Sequence, residues 1–83
     1  MKITLKYFAS IREAIGHSSA AYETSATTLA LLRDELIASS SAHSDALARG
    51  KVIRVALNQV MSDESASLTD GCEVAFFPPV TGG

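Results

Sequence analysis

The chain opens with a strict alternation of apolar and polar side chains. The apolar positions on one face of this segment are Ile3, Leu5 and Tyr7. The other face carries Lys2, Thr4, Lys6 and Phe8. Alternation with a period of two and one charged face is typical of a half-buried β-strand. Phe8 is the exception, because this large apolar side chain lies on the lysine side.

Helical spacing follows in two places. Ser10 and Glu13 have the spacing of a capping box, which predicts a short helix that ends at Gly16. A weak second strand over residues 18–24 comes next, with Ala20 and Tyr22 as its inward side chains. Leucines then recur every three or four positions, which predicts the main helix over residues 28–39, capped by Thr27 or Thr28 and with Asp34 and Glu35 facing away. The run of serines after this helix should break it, and residues 45–49 can form one further turn.

The second half of the chain is richer in strand patterns. Residues 52–58 alternate, with Ile53, Val55 and Leu57 on one face, and residues 72–77 form a last strand with Val74 and Phe76 inward. A partly polar connector and the turn Thr69–Asp70–Gly71 separate these two strands. Strands that flank one substantial helix predict an α+β fold, with a sheet of four to five strands and the helix on one face. The first and last strands are candidates to pair in the middle of that sheet.

Composition narrows the classes of function. The chain has 83 residues, 47% of them hydrophobic, and a net charge of −2. A domain of this size has a thin core and little room for a cofactor pocket of its own. A nucleic-acid binder normally carries a basic excess, which is absent here. The sequence has neither a signal-peptide pattern nor an apolar run of about 20 residues, so we expect a cytoplasmic protein that binds no membrane.

Few side chains offer catalytic chemistry. His17 and His43 both lie in polar context, and neither has the neighbours of a metal motif, so we interpret them as exposed surface residues. Cys72 is the single cysteine and is interpreted as a small residue packed at the sheet edge, without a disulfide. We therefore predict no metal site and no cofactor bound by the domain.

The C-terminal segment carries the strongest functional pattern. After Glu73 no charged side chain remains. Pro78 and Pro79 force the chain into an extended path, and Gly82 and Gly83 lack side chains and can enter a slot as narrow as the backbone. A glycine carboxylate is unreactive until it is activated, for example as an acyl-adenylate, which then accepts an amine, a thiol or a sulfide. Because the domain offers no ATP site, this chemistry implies an external activating enzyme.

Several motifs resemble those of a known family, the small sulfur-carrying subunits of molybdopterin synthase. The resemblance covers nearly the whole chain. The supporting segments are residues 7–9, 11–13, 55–58 and 68–71, together with Gly16, and the most specific segment is Glu73-Val74-Ala75-Phe76-Phe77-Pro78-Pro79-Val80-Thr81-Gly82-Gly83. Cys72 departs from the aspartate that is usual in the family.

The resemblance implies a ubiquitin-like β-grasp domain over residues 1–78 and a flexible tail over residues 79–83. It implies that a ubiquitin-activating-like adenylyltransferase uses ATP to adenylate Gly83, which is then converted to a thiocarboxylate. Pro79, Val80, Thr81 and Gly82 would thread into the active site of the large synthase subunit, where the sulfur is transferred to cyclic pyranopterin monophosphate in molybdenum cofactor biosynthesis. The chain would thus be a non-catalytic, sulfur-donating subunit of a heterotetrameric transferase.

The alternation pattern adds a candidate docking surface. Phe8 and Phe77 both fall on the outward face of their strands, so they form one apolar patch at the root of the tail if those strands are neighbours. Two alternatives remain open at this point. One is a sulfur carrier for thiamine or tRNA thiolation and the other is a ubiquitin-like protein modifier, because the Gly-Gly tip is the same in each case.

Overall fold

The fold is a five-stranded sheet with three helices, and the computed structural model describes residues 1–79 of it. The elements in chain order are β1 (Lys2–Tyr7), α1 (Ala9–Ile15), β2 (Ser19–Glu23), α2 (Leu29–Ser39), α3 (Ser41–Leu47), β3 (Arg54–Leu57), β4 (Val60–Ser62) and β5 (Glu73–Phe77). The predicted α+β class and the main helix are confirmed. No pattern in the sequence predicted β4, and only a short turn over residues 45–49 was predicted where α3 lies.

The strand order in the sheet is β2-β1-β5-β3-β4. β1 and β5 lie side by side and parallel, with Leu5 opposite Val74 and Tyr7 opposite Phe76. The other three pairings are antiparallel. The prediction that the first and last strands pair in the middle of the sheet is therefore confirmed. This parallel pairing places the C-terminal ends of β1 and β5 side by side at one end of the sheet.

The core lies between the sheet and the helices. The inward side chains of the two central strands are almost fully buried, and they are Ile3, Leu5, Tyr7, Val74 and Phe76. Leucines from α2 and α3 cover them, namely Leu29, Leu32, Leu36 and Leu47. The apolar side chains that recur every two positions in the strands thus pack against those that recur every three to four positions in the helix, and together they form one apolar layer.

The serine run separates two helices. Thr28 caps α2 by accepting a hydrogen bond from the Leu31 N–H at 3.3 Å. Ser40 ends α2 in an extended conformation, and its side chain accepts from the His43 N–H at 3.1 Å to begin α3. The prediction of a turn over residues 45–49 was therefore wrong, because Ser40 acts as the N-cap of a helix that starts earlier.

α1 also begins earlier than its capping box predicts. The N-cap residue is Phe8, without a side-chain hydrogen bond, so the Ser10–Glu13 box does not start the helix. Ala9 has a φ of 51°, a left-handed conformation that turns the chain sharply from β1 into α1. Gly16 ends α1 with a φ of 98°, as predicted.

A buried arginine fixes the loop between α3 and β3. The Arg33 side chain, from α2, is only 5% exposed. Its guanidinium donates to the carbonyl oxygens of Leu47, Ala48 and Lys51 at 2.8, 2.7 and 3.0 Å. It also pairs with Glu64 at 2.6 Å. A charge this deeply buried is stable only with such a complete set of partners, so the loop is tied to α2.

One charged residue of α2 was wrongly predicted to face away. Asp34 is exposed, but Glu35 is half-buried and accepts hydrogen bonds from the Tyr22 hydroxyl at 3.0 Å and the Thr24 hydroxyl at 2.6 Å. This carboxylate joins α2 to the end of β2, because the two hydroxyls compensate for its partial burial.

Candidate functional site

Two phenylalanines stack at the C-terminal ends of the neighbouring strands β1 and β5, where the tail begins. Phe8 directly follows β1, and Phe77 is the last residue of the neighbouring strand β5. Their ring centroids are 4.6 Å apart and the ring planes differ by 7°. Phe8 keeps 38% of its surface exposed, although it is a large apolar residue. The predicted adjacency of the two rings is confirmed, whereas their role in binding stays a prediction.

The backbone explains why Phe8 points away from the core. Its N–H donates to the carbonyl of Phe76 at 3.2 Å, which extends the β1–β5 pairing by one residue. Tyr7 therefore faces inward and Phe8 outward, as the alternation requires. The left-handed turn at Ala9 then carries the chain into α1 directly after Phe8.

Three further residues extend this apolar surface across the outer face of the sheet. In the strand register, Ala75 lies opposite Ala56, and Ala56 lies opposite Met61. We call the set Phe8, Ala56, Met61, Ala75 and Phe77 the outer-face patch. These residues line one shallow groove of about 300 Å³. The two alanines form its floor, and the stacked rings and Met61, which is 55% exposed, form its sides.

Sequence reasoning missed Met61 because it missed β4. The hairpin between β3 and β4 turns at Asn58 and Gln59, which have φ values of 50° and 69°. Two successive residues with positive φ are the mark of a type I′ turn, whose usual sequence is Asn-Gly. Glutamine stands where glycine is usual, so the pattern that reveals such a hairpin is absent. Alternation alone did place Ala56 outward.

Charged side chains border the patch. Lys6 and Glu73 form an ion pair at 3.9 Å on the β1–β5 side, and Arg54 lies opposite Phe77 in the register of β3 and β5. The Lys6–Glu73 pair is partly exposed, so it adds little to stability. An apolar centre with a charged rim is the usual composition of a protein-binding surface.

A polar cluster lies on the opposite face of the sheet, between β1 and the start of α3. The hydroxyl of buried Tyr7 lies 3.0 Å from His43 Nε2, and His43 Nδ1 lies 2.7 Å from the Ser40 hydroxyl. Burial, with a smaller contribution from Tyr22, raises the pKa of Tyr7 to about 12. Burial, followed by repulsion from His17, lowers the pKa of His43. The interpretation of His43 as a free surface residue was wrong, because α3 carries it onto the ring of Tyr7, whereas His17 is exposed as predicted.

The predicted tail lies mostly outside the described residues. Pro78 is half-buried and Pro79 is exposed at the end of the described chain. Val80, Thr81, Gly82 and Gly83, which include the proposed reactive glycine, lie outside it. The structure thus places the root of the tail directly beside the outer-face patch, because Pro78 follows Phe77.

The remaining candidates do not form a separate site. Cys72 is 3% exposed and belongs to the core, just before the central strand β5, so its predicted place at the sheet edge was wrong. Residues 1–79 contain no group of three or more His, Cys, Asp and Glu side chains arranged to hold a metal ion. Within the same residues, no helix is both long and apolar enough to cross a membrane.

Comparison with known proteins places the chain in a family. The model of the ThiS family matches residues 5–83, which include the Gly-Gly tip. The molybdopterin synthase sulfur carrier subunit of Escherichia coli strain K12 is 41% identical over 81 residues, covering 98% of this chain and 99% of that protein. The chain belongs to the ThiS family. Its likeness to a molybdopterin synthase subunit extends over 98% of the chain, as the motifs indicated.

Solved structures of ThiS-like proteins share the fold. SAMP1 of Haloferax volcanii, a small archaeal modifier protein, has a TM-score of 0.76 and 26% identity, with both chains fully covered. Subunit 1 and 2 of the molybdopterin-converting factor from Helicobacter pylori form a protein–protein complex, and the matching chain has a TM-score of 0.69 and 26% identity, again with full coverage. The expected ubiquitin-like β-grasp fold is confirmed.

Proposed function

We propose that this chain is the sulfur carrier subunit of molybdopterin synthase. The observation that carries the proposal is the match over 98% of the chain to a curated subunit of that name, in a chain whose tail follows an apolar patch. In this role the domain binds no cofactor of its own, and it acts in the cytoplasm. Its reactive group is the terminal carboxylate of Gly83, and the enzymes that use it supply the pockets.

Sulfur loading and transfer proceed in three steps. The Gly83 carboxylate attacks the α-phosphate of ATP in a ubiquitin-activating-like adenylyltransferase, which forms an acyl-adenylate and releases pyrophosphate. A sulfur nucleophile at the oxidation level of sulfide then adds to the activated carbonyl, AMP leaves, and a thiocarboxylate remains. In the active site of the large subunit the thiocarboxylate sulfur attacks a carbon of cyclic pyranopterin monophosphate, and a carbon–oxygen bond of the substrate breaks as the carbon–sulfur bond forms. Water then cleaves the resulting thioester, which leaves the sulfur on the substrate and restores the Gly83 carboxylate. Two such transfers, each from a newly loaded chain, supply the two sulfurs of the dithiolene.

The length of the tail requires close docking. Gly83 is the fourth residue after Pro79, and four extended residues span at most about 14 Å. Each partner's reactive atoms must therefore lie within that distance of Pro79. Residues 1–78 serve as the docking body in this proposal, and Pro79, Val80, Thr81 and Gly82 serve as the arm that delivers Gly83.

The outer-face patch is the proposed contact with the large subunit. Stacked aromatic rings beside a shallow groove are the kind of surface that contributes most to protein binding. Replacement of Phe77 by Ala, or of Phe8 by Asp, should weaken binding of the large subunit at least tenfold. Leu31→Ala is the matched control, because Leu31 is 51% exposed on α2 and lies outside the patch. Equal affinity of the Phe77 and Leu31 variants in a calorimetric titration would contradict this assignment.

Reconstitution tests the function itself. Purified chain, activating enzyme, ATP and a sulfide source are combined, and the product is added to the large subunit and cyclic pyranopterin monophosphate. We expect formation of the dithiolene with the intact chain. Neither a chain that lacks Gly83 nor a chain with one alanine added after it should transfer sulfur, although both should keep the far-ultraviolet circular dichroism of the intact protein. Sulfur transfer by either variant would contradict the proposal.

A second candidate is a protein modifier, which the likeness to the archaeal modifier protein favours. In that role Gly83 ends as an amide on a lysine of another protein. Mass spectrometry of proteins from cells distinguishes the two roles. Conjugates that carry this chain on lysines would support the modifier, whereas a C-terminal exchange of oxygen for sulfur would support the carrier.

A third candidate has the same tip chemistry with another acceptor, since a ThiS-family match does not itself identify the acceptor. A carrier for thiamine or tRNA thiolation would transfer its sulfur to a different enzyme. Incubation of the thiocarboxylated chain with each acceptor system separates these roles, and we expect only the molybdopterin synthase large subunit to consume the sulfur.

A further inference from the structure

A second apolar surface lies on the opposite side of the tail root from the outer-face patch. It is a groove of about 380 Å³ on the helix side of the molecule, between α1 and the loop that precedes β3. We call it the helix-side groove, and its apolar walls are Ile11, Ala14, Val52, Ile53, Pro78 and Pro79. Val52 is 70% exposed, the largest exposure among the large apolar residues described.

The walls of this groove are held in place by the rest of the fold. Ile11 is buried in the core and fixes α1. On the other side, Arg33 donates to the carbonyl of Lys51, the residue directly before Val52, and to that of Ala48. A loop that displays an apolar side chain in water, yet is tied to a buried guanidinium, forms a groove before any partner arrives. Preformed apolar clefts lose little entropy on binding.

The path of the tail determines which molecule can cover the groove. Pro78 and Pro79 form one wall, and Phe77, the residue before them, belongs to the outer-face patch. The tail therefore leaves the domain between two apolar surfaces. Because Gly83 lies at most about 14 Å from Pro79 along an extended chain, a protein that receives Gly83 in a pocket must close around the tail root. Its surface then reaches both sides of the two prolines.

We propose that the large subunit of the synthase covers both surfaces, with the outer-face patch as one half of the interface and the helix-side groove as the other. An apolar side chain of the large subunit fills the groove against Val52 and Pro78. This inference rests on the proposed function and extends it, since the sheet face was the only docking surface that the sequence indicated. It assigns Val52 and Ala14 to the interface.

A titration of the large subunit with variants of the full chain tests this assignment. Val52→Asp places a charge in the groove, and we expect its dissociation constant to rise at least tenfold. Ala14→Glu changes the opposite wall at an exposed helical position, where glutamate is well tolerated, and should have the same effect. Leu31→Asp is the matched control at an exposed apolar site outside both surfaces and should bind as the unmodified chain does. Thermal unfolding of each variant shows that it is folded.

The outcomes separate the inference from the function on which it rests. Weaker binding by both groove variants, with normal binding by the Leu31 variant, supports the two-sided interface. If the groove variants bind normally while Phe77→Ala binds weakly, the inference is wrong and the proposed function stands. If they impair only adenylation by the activating enzyme, the groove belongs to that enzyme and the inference is also wrong. If the unmodified chain does not bind the large subunit, the proposed function itself fails.

Discussion

Removal of the Arg33 guanidinium should destabilise this domain more than any change to its surface charges. The variant Arg33→Met keeps an unbranched apolar side chain in the space of the arginine stem but removes four hydrogen bonds, three to carbonyls and one to Glu64. Breaking a buried ion pair by loss of one partner costs about 3–5 kcal/mol. We expect the lower end of this range, because Glu64 is 30% exposed and keeps Arg49 as a partner.

A loss of about 3 kcal/mol is large for so small a domain. Proteins of this length are stable by roughly 4–12 kcal/mol, so the variant should unfold about 10–25 °C below the unmodified chain. Urea unfolding followed by circular dichroism measures the free energy directly. Arg49→Ala is the control, because this side chain is 44% exposed and also pairs with Glu64. Its loss should cost less than about 1 kcal/mol.

The physical reasoning would be refuted if the Arg33 and Arg49 variants lost equal stability, or if Arg33→Met lost less than about 1 kcal/mol. Either result would mean that the loop before β3 does not depend on its tie to α2. The variant also bears on docking, since the loop carries Val52. The Arg33 variant should therefore bind the large subunit less tightly than the unmodified chain, and the loss of affinity should exceed what the smaller folded fraction of the variant explains.

Three further predictions concern backbone conformation and pH. Gln59→Gly should stabilise the domain by about 1 kcal/mol in urea unfolding, because glycine adopts the left-handed turn conformation without the steric clash that a Cβ atom causes there. An unchanged urea midpoint would contradict the turn assignment. Ala9→Gly should likewise relieve about 1–2 kcal/mol of left-handed strain, which offsets the roughly 0.5–1 kcal/mol that glycine costs relative to alanine inside a helix. We therefore expect an equal or slightly higher free energy of unfolding in urea, and a loss of about 1 kcal/mol would contradict the assignment of strain to Ala9. The lowered pKa of His43 means that the unfolded chain binds a proton at this histidine more readily than the folded chain does. The unfolding free energy should therefore be constant above pH 7 and fall as the pH drops below the ordinary pKa of 6.5. His43→Gln should remove this part of the decline, and identical pH profiles for the two proteins would show that His43 does not contribute.

Local patterns in this chain were sufficient where a single element decided the outcome. The alternation of β1 placed Tyr7 in the core and Phe8 outside, and the leucine spacing of α2 set its buried face. The pairing of β1 with β5 was predicted as a candidate, because both strands carry strong inward residues, whereas their parallel direction comes from the structure. The stacking of Phe8 on Phe77 followed from that pairing, since neighbouring strands that run parallel have their C-terminal ends side by side.

The errors arose where distant parts of the chain decide the structure. Glu35 was wrongly predicted to face solvent, because the helical pattern does not show the two hydroxyls that bind it. They belong to Tyr22 in β2 and to Thr24 directly after β2, which are 13 and 11 positions away. His43 was predicted to be free because its partner, Tyr7, is 36 positions away. The helix-side groove brings together α1, the loop before β3 and the two prolines, and no local pattern indicates such a combination. Long-range packing therefore created the second surface at the tail root, whereas the sequence alone revealed Phe8 and Phe77 of the first.

The central claim is that Gly83 carries sulfur, and the mass of the intact protein tests it most directly. The chain is incubated with the activating enzyme, ATP and a sulfide source, and its mass is measured before and after addition of the large subunit with cyclic pyranopterin monophosphate. We predict a gain equal to the exchange of one oxygen for sulfur, located at Gly83 by fragmentation, and its loss when the acceptor is added. A mass that never changes, or a gain that persists in the presence of the acceptor, would contradict the account.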